Sequence, residues 1–157
     1  KFFDPLNEVF SMYDIDTPLR IAMFIAQIGV ESGSLVYTKE IASGQEYEGR
    51  RDLGNTQRGD GVLFKGRGLI QITGRANYAA CALATGIDCL NHPELLEEPE
   101  NATLSAGWFW NVHNLNQYAD ASDIVGCTRR INGGVNGLAT RQQIYATALK
   151  VLQTSVG

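Results

Sequence analysis

The chain has 157 residues, 44% hydrophobic and 19% charged, with a formal net charge of −4. That length suits one domain with a sizeable core, and the composition is that of an ordinary globular protein. The slightly acidic balance argues against a nucleic-acid binder, which would favour a basic surface, and gives no electrostatic pull toward an anionic wall.

The first element expected is a short helix over residues 6–13, after Asp4-Pro5. A clearer one follows Thr17-Pro18, which reads as an N-cap with proline at the first helical position. Apolar residues at 21, 24, 25 and 28 recur at helical spacing, and Ser32-Gly33 offers a left-handed stop. No stretch reaches the roughly 18–20 apolar residues of a membrane span. Leu19 to Val30 comes nearest, but it is short and carries Arg20 and Gln27. No signal peptide is visible, and a start at Lys1 rather than methionine leaves a trimmed leader open.

Residues 42–66 are rich in Gly, Asp, Arg and Asn and read as a long loop with a helical turn at most, a type of loop that often carries function. Leu69 to Thr73 reads as a short strand or a turn. Helices are expected over 75–85, 101–114, 121–131 and 138–153. Within the second of these stretches, the Ala-Gly-Trp-Phe-Trp run at 106–110 places Trp108 and Trp110 in the core rather than against a sugar. Many helices with a few extended pieces give an α+β, mostly α, single domain spanning 1–157.

Cys81, Cys89 and Cys127 make an odd count and fit no zinc spacing. At most one disulfide could form among three pairings, and buried free thiols are the simpler reading. No metal and no cofactor is expected.

Two glutamates nine positions apart, Glu31 and Glu40, precede the run Gly66-Arg67-Gly68-Leu69-Ile70-Gln71-Ile72-Thr73. Hydrolysis of a glycosidic bond needs one carboxyl group to protonate the leaving oxygen and another to direct water. Glu31 falls at the C-terminal end of an apolar helix, where the dipole and desolvation both favour the protonated form of a carboxyl. Lys39 stands beside Glu40 and would help keep it ionised, as a general base requires. Glu46, Glu48 and Asp52 lie close behind in the same polar stretch, so the residues alone do not choose among them. Arg141, near the start of the last helix, opposes that helix's dipole and calls for a carboxylate partner such as Glu31. Gln71 and Thr73 would share a face if extended. Asn132-Gly133-Gly134 reads first as a helix stop.

These residues together resemble glycoside hydrolase family 19, in particular its compact lysozyme-like branch of phage endolysins and bacterial lytic enzymes. The resemblance runs from about Phe24 to Leu152. It rests on Ala26-Gln27-Ile-Gly-Val-Glu31-Ser-Gly, on Tyr37 to Glu40, on Gly66 through Tyr78, on Ile131-Asn132-Gly133-Gly134, and on Arg141. It implies Glu31 as general acid, Glu40 as general base and Thr73 as the hydroxyl that positions water. It also implies Gln71, Asn77, Tyr78 and Asn132 as substrate-holding residues, Arg141 as the group that orients the acid, and Arg67 as a brace of the same substrate region. Inversion without a covalent intermediate follows from the family, as does a lysozyme-like fold.

Two positions depart from the family's pattern. Val30 stands where histidine often precedes the acid, and Val135-Asn136 replaces a glutamate common after Asn-Gly-Gly. The wording Gly-Leu-Ile-Gln-Ile-Thr-Gly-Arg-Ala-Asn-Tyr looks like the bacteriolytic members, so peptidoglycan is the expected partner and chitin the alternative. A lytic transglycosylase is disfavoured because its single carboxyl leaves Glu40 without a task. A non-catalytic glycan-binding module would not need Glu31, Glu40 and Thr73 together. The expected enzyme is a monomer acting on the bacterial cell wall, in the periplasm or outside the cell.

Overall fold

A computed structural model describes residues 1–156. It contains eight α-helices among the described residues: α1 (Phe3–Met12), α2 (Pro18–Glu31), α3 (Asp60–Leu63), α4 (Arg75–Thr85), α5 (Pro99–Val112), α6 (Asn116–Asp120), α7 (Ile124–Asn132) and α8 (Leu138–Val156). Single 3-10 turns occupy Gln45–Tyr47, Arg51–Leu53 and Pro93–Glu97. The extended content among the described residues is two isolated antiparallel bridges, Lys39 with Arg67 and Arg67 with Ile72.

Helix α2 starts where its sequence says it should. The Thr17 hydroxyl accepts a hydrogen bond from Arg20 N–H at 3.2 Å, and Pro18 occupies the first turn. Its apolar face, with Phe24 and Ile28, is buried, and α8 packs along it. The expected helix over 6–13 instead begins at Phe3, because Pro5 falls in the first turn, where no N–H partner is needed. Helix α5 likewise starts two residues before the expected position, at Pro99. The helix expected over 121–131 starts only at Ile124, as α7, because the chain breaks at Ser122 with φ +54°, and the short α6 precedes that break. Asp123 then caps α7 by accepting from Gly126 N–H at 2.9 Å, and Gly133, at φ +80°, ends it.

The core gathers around α2, α5 and α4. Phe24 meets Trp110 edge-on at 5.1 Å and Phe10 at 5.7 Å, and Trp110 Nε1 donates to Asn116 Oδ1 at 2.9 Å. Both tryptophans are buried, as expected from their setting. The three cysteines are free and buried, and burial pushes the Cys127 thiol up to about 12. Among the described residues, no helix is long and apolar enough to cross a membrane, and no group of three or more His, Cys, Asp or Glu is placed to hold a metal ion.

Candidate active site

Glu31 is the last residue of α2, and its carboxyl is reached from the far end of the chain. Arg141 Nη2, on the first turn of α8, donates to Glu31 Oε1 at 2.8 Å. The same guanidinium gives Nη1 to Gln27 Oε1 at 2.6 Å and Nε to the Asn136 carbonyl at 3.0 Å. Gln27 in turn donates to Thr128 Oγ1 at 3.2 Å, which ties α7 into the network. Gln27, Thr128 and Arg141 are buried, whereas the Glu31 side chain keeps 15% exposure toward a cleft. Arg141 therefore orients Glu31 from behind, in a charge-assisted bond, and does not reach substrate. Where the family often has a glutamate near this arginine, Gln27 and a backbone carbonyl complete its hydrogen bonds.

After Glu31 the chain turns sharply. Gly33, Ser34 and Leu35 are all left-handed, with φ of +57°, +62° and +67°. Two of these are not glycine, a strained arrangement of the kind that persists only where surrounding contacts hold it. Buried Ser32 supplies those contacts: its hydroxyl accepts from Leu35 N–H at 2.9 Å, and its carbonyl accepts from Tyr37 N–H at 2.9 Å.

The turn delivers residues 38–40 alongside Gly66-Arg67-Gly68. Gly68 N–H donates to the Thr38 carbonyl at 2.8 Å and Glu40 N–H to the Gly66 carbonyl at 2.9 Å. The Glu40 carboxylate is held from two sides, accepting from Gly66 N–H at 2.7 Å and from the Tyr47 hydroxyl at 3.1 Å. Burial first, and then the adjacent Glu40 charge, push the Tyr47 phenol up to about 12, so it remains a donor. Lys39 does not serve Glu40 as expected. Its ammonium points to Glu97 at 3.7 Å, because alternate residues of an extended stretch face opposite ways.

The rival carboxylates are accounted for. Glu48 accepts from Gly59 and Gly61 N–H at 2.9 and 2.8 Å, and those two bonds hold its carboxyl below the usual range. Asp52 pairs with Arg50 at 2.6 Å. Glu46 is exposed, outside the set of residues lining the cleft. Glu31 and Glu40 line one hollow of about 400 Å³, together with Val30, Tyr37 and Gln71.

Of the two readings for Leu69 to Thr73, strand or turn, the structure has the turn, with Gln71 at φ +61°. Gln71 Nε2 donates to the Gly68 carbonyl at 3.0 Å, and the Thr73 hydroxyl to the Gln71 carbonyl at 3.1 Å. Both side chains still end up over Gly66, where an added Cβ would meet Gln71 Oε1 at 2.7 Å and Thr73 Oγ1 at 3.3 Å. The glycine is thus required by close approach. Gly68 is required twice over, by φ +85° and by Ser105 Oγ at 2.6 Å from an added Cβ.

Gln71 is also a wall of a second hollow, lined further by Thr73, Asn77, Trp108 and His113. Asn77 is exposed there, with its Nδ2 donating to the Thr73 carbonyl at 2.8 Å. Asn132 is exposed at the end of α7 and lies outside both linings.

Tyr78, expected to hold substrate, is behind the cleft instead, beside Arg67, the expected brace. Tyr78 is fully buried, its hydroxyl donating to the Lys65 carbonyl at 2.5 Å and accepting from Arg67 Nη1 at 3.1 Å. Arg67 Nε donates to Glu97 Oε2 at 2.9 Å. Together they brace the Gly-Arg-Gly turn, and neither is free to touch a sugar.

Sequence reasoning passed over Gln27, Ser32 and Tyr47 as site residues. Gln27 did carry a signal: it is a polar residue in an apolar helix, four positions before Glu31 and so on the same face. Tyr47 carried none, being one aromatic residue in a polar loop.

The family-19 glycosyl hydrolase profile, described as chitinase class I, matches residues 21–146. A glycosyl hydrolase family 19 domain-containing protein of Haemophilus influenzae is 31% identical over 79% of this chain and 76% of its own. An endochitinase of Arabidopsis thaliana is 37% identical over 73% of this chain, which spans only 39% of that enzyme. Chitinase C of Streptomyces griseus superposes with a TM-score of 0.78, covering 96% of this chain and 69% of that one at 24% identity. A second solved structure, a bacterial family 19 chitinase, gives 0.79 at 23% identity with 96% and 85% covered. The mostly helical, lysozyme-like architecture is therefore shared with these enzymes. This chain belongs to glycoside hydrolase family 19, and it is a glycoside hydrolase.

Proposed function

We propose that the enzyme cleaves β-1,4 bonds between N-acetylhexosamines of peptidoglycan, acting as a single-domain monomer on the bacterial cell wall. The observation that carries the catalytic part is the placement of Glu31 and Glu40 on one hollow, each held by different parts of the chain. In this reading Glu31 protonates the departing glycosidic oxygen, and Glu40 takes a proton from a water attacking the opposite face of the sugar. A single displacement inverts the anomeric centre, which needs carboxyl groups about 6.5–9.5 Å apart to admit that water. Thr73 can accept a second hydrogen bond from the water, because its own proton is committed to the Gln71 carbonyl. Gln71 and Asn77 hold the sugar, with Asn132 at the rim. The chemistry is proton transfer throughout and needs no cofactor.

The preference for peptidoglycan rests on the Gly-Leu-Ile-Gln-Ile-Thr-Gly-Arg-Ala-Asn-Tyr run, whose wording resembles bacteriolytic members. Chitin is the second reading, favoured by the chitinase names of the plant relatives and the solved neighbours. The test is digestion of purified Gram-negative peptidoglycan and of chitin, with mass spectrometry of the new ends and NMR of the first anomer released. Hydrated reducing ends of inverted configuration from peptidoglycan support the proposal. Anhydro ends would replace it with a lytic transglycosylase, and products from chitin alone would move it to the second reading.

A further inference from the structure

Three cysteine pairings are open in the sequence, and the fold brings one of them together. Cys81 is on the core-facing side of α4 and fully buried, and Cys89, eight positions later, is fully buried as well. Between them the chain reverses. Gly86 ends α4 at φ +80°. The Thr85 hydroxyl fixes the return by donating to the Cys81 carbonyl at 2.7 Å and accepting from Ile87 N–H at 3.2 Å.

That return sets both cysteine side chains against one backbone oxygen. Cys89 Sγ donates to the Tyr78 carbonyl at 3.4 Å. Tyr78 is three positions before Cys81, and a helical side chain leans toward the N-terminus, over the turn that holds its i−3 residue. Cys81 therefore leans over the carbonyl that Cys89 touches, and its S–H donates to Cys89 Sγ. This hydrogen bond holds the Cys89 thiol below its ordinary range, the direction that favours the nucleophilic thiolate. Cys127 is elsewhere, on α7, with Arg141 and Asp123 as its charged neighbours.

We propose that Cys81 and Cys89 form a disulfide outside the cytoplasm, a staple that pins the 86–92 loop to α4 behind the catalytic turn. The oxidant is an external disulfide, that of a thiol oxidase in the cell or of glutathione in the test tube. The Cys89 thiolate attacks one sulfur of the reagent and expels the other as a thiolate. The Cys81 thiolate then attacks Cys89 Sγ and expels the first. Two protons and two electrons leave the cysteine pair, and the reagent departs as two thiols. Both sulfurs are closed off once the chain is folded, so the exchange belongs to folding or to an opening of the loop, which is exposed at Gly86, Asp88 and Asn91. Tyr78, on the same helix, meets Arg67 and the Lys65 carbonyl, so a firmer α4 steadies the Gly-Arg-Gly turn that holds Glu40. The location rests on the wall-facing reading above, whereas the chemistry of the pair does not depend on which glycan is cut.

The experiment refolds reduced protein in a glutathione redox buffer, alkylates the remaining thiols, and digests without reductant using a protease that cuts before aspartate. Cleavage before Asp88 parts Cys81 from Cys89, and cleavage before Asp120 and Asp123 parts Cys127 from both. The expected result is a linked pair of fragments, two hydrogen masses lighter than their sum, with Cys127 alkylated. Closing a loop of this length should also raise the thermal midpoint by about 5 °C, a gain lost on adding dithiothreitol. Cys127→Ala should keep the link and the gain, and Cys89→Ala should lose both. Alkylated Cys81 and Cys89, glutathione adducts on either, or a link to Cys127 would overturn the pairing. A link between Cys81 and Cys89 that leaves the midpoint unchanged or lowers it would overturn the staple. Peptidoglycan hydrolysis is measured on the same samples, and its absence would strike the function proposed above while leaving the pairing intact.

Discussion

The two catalytic carboxyl groups proposed here are held in contrasting ways. Glu31 ends a helix, and its partner Arg141 is 110 positions away, buried among α2, α7 and α8. Glu40 lies in an irregular stretch and is held by Tyr47 and Gly66, only 7 and 26 positions away. One side of the cleft belongs to the helical core, and the other is a loop that carries its own staples. The lesson is that the acid's geometry is tied to global stability, whereas the base's geometry depends on whether one loop stays closed.

The sharpest use of this contrast is to remove the carboxyls themselves. Glu31→Gln should lower turnover by about 10³-fold or more and leave the thermal midpoint close to wild type, since the amide oxygen still accepts from Arg141. Glu40→Gln should cost about 10²–10³-fold, its amide still able to accept from Gly66 N–H, and Thr73→Ala less than either. Steady-state rates with thermal melts check all three. Near-full activity in Glu40→Gln would mean that the base is misassigned.

Breaking the acid's support should damage fold and rate together. Arg141→Met leaves Glu31 and the Gln27 carbonyl without their cation, which should cost about 3 kcal/mol, the order seen when one partner of a buried pair is removed. The loss of orientation should lower kcat by about 10–100-fold. Denaturant titration and kinetics on the same variant measure both. A stable, inactive Arg141→Met would separate orientation from stability and weaken the contrast.

The loop side should fail locally and by pH. Asp60, with a buried side chain, pairs in bidentate fashion with Arg75 at 2.9 and 2.8 Å, and that hydrogen bonding holds its carboxyl below the usual range. A depressed carboxyl stabilises the fold above the unfolded value of about 4 and loses that contribution as pH falls through the folded value. Asp60→Asn should therefore cost about 2 kcal/mol at pH 7, less than a fully buried pair because Arg75 is 27% exposed, with a gap that closes toward pH 2. Melts from pH 7 to about pH 2, with hydrogen exchange across residues 42–66, read this out. A gap that is constant with pH would remove the pair from the account.

The sequence by itself determined much of this protein. Thr17-Pro18 started α2, Ser32-Gly33 ended it, and the ordered motifs from Ala26 to Arg141 pointed to the family, because caps, helical periodicity and motif order are local properties. It also proposed the pairing of Arg141 with Glu31, from a cation in an unfavourable place on its own helix. Only the tertiary structure decided which loop carboxylate faces the cleft. Glu40, Glu46, Glu48 and Asp52 are alike in the sequence, and their roles divide through partners such as Gly66, Gly59, Gly61 and Arg50 that folding brings near. Folding also chose the turn over the strand at 69–73, sent Lys39 to Glu97, and buried Arg67 and Tyr78 behind the cleft. Those outcomes depend on contacts across the chain, and no local pattern in residues 38–78 encodes which neighbour each side chain will meet.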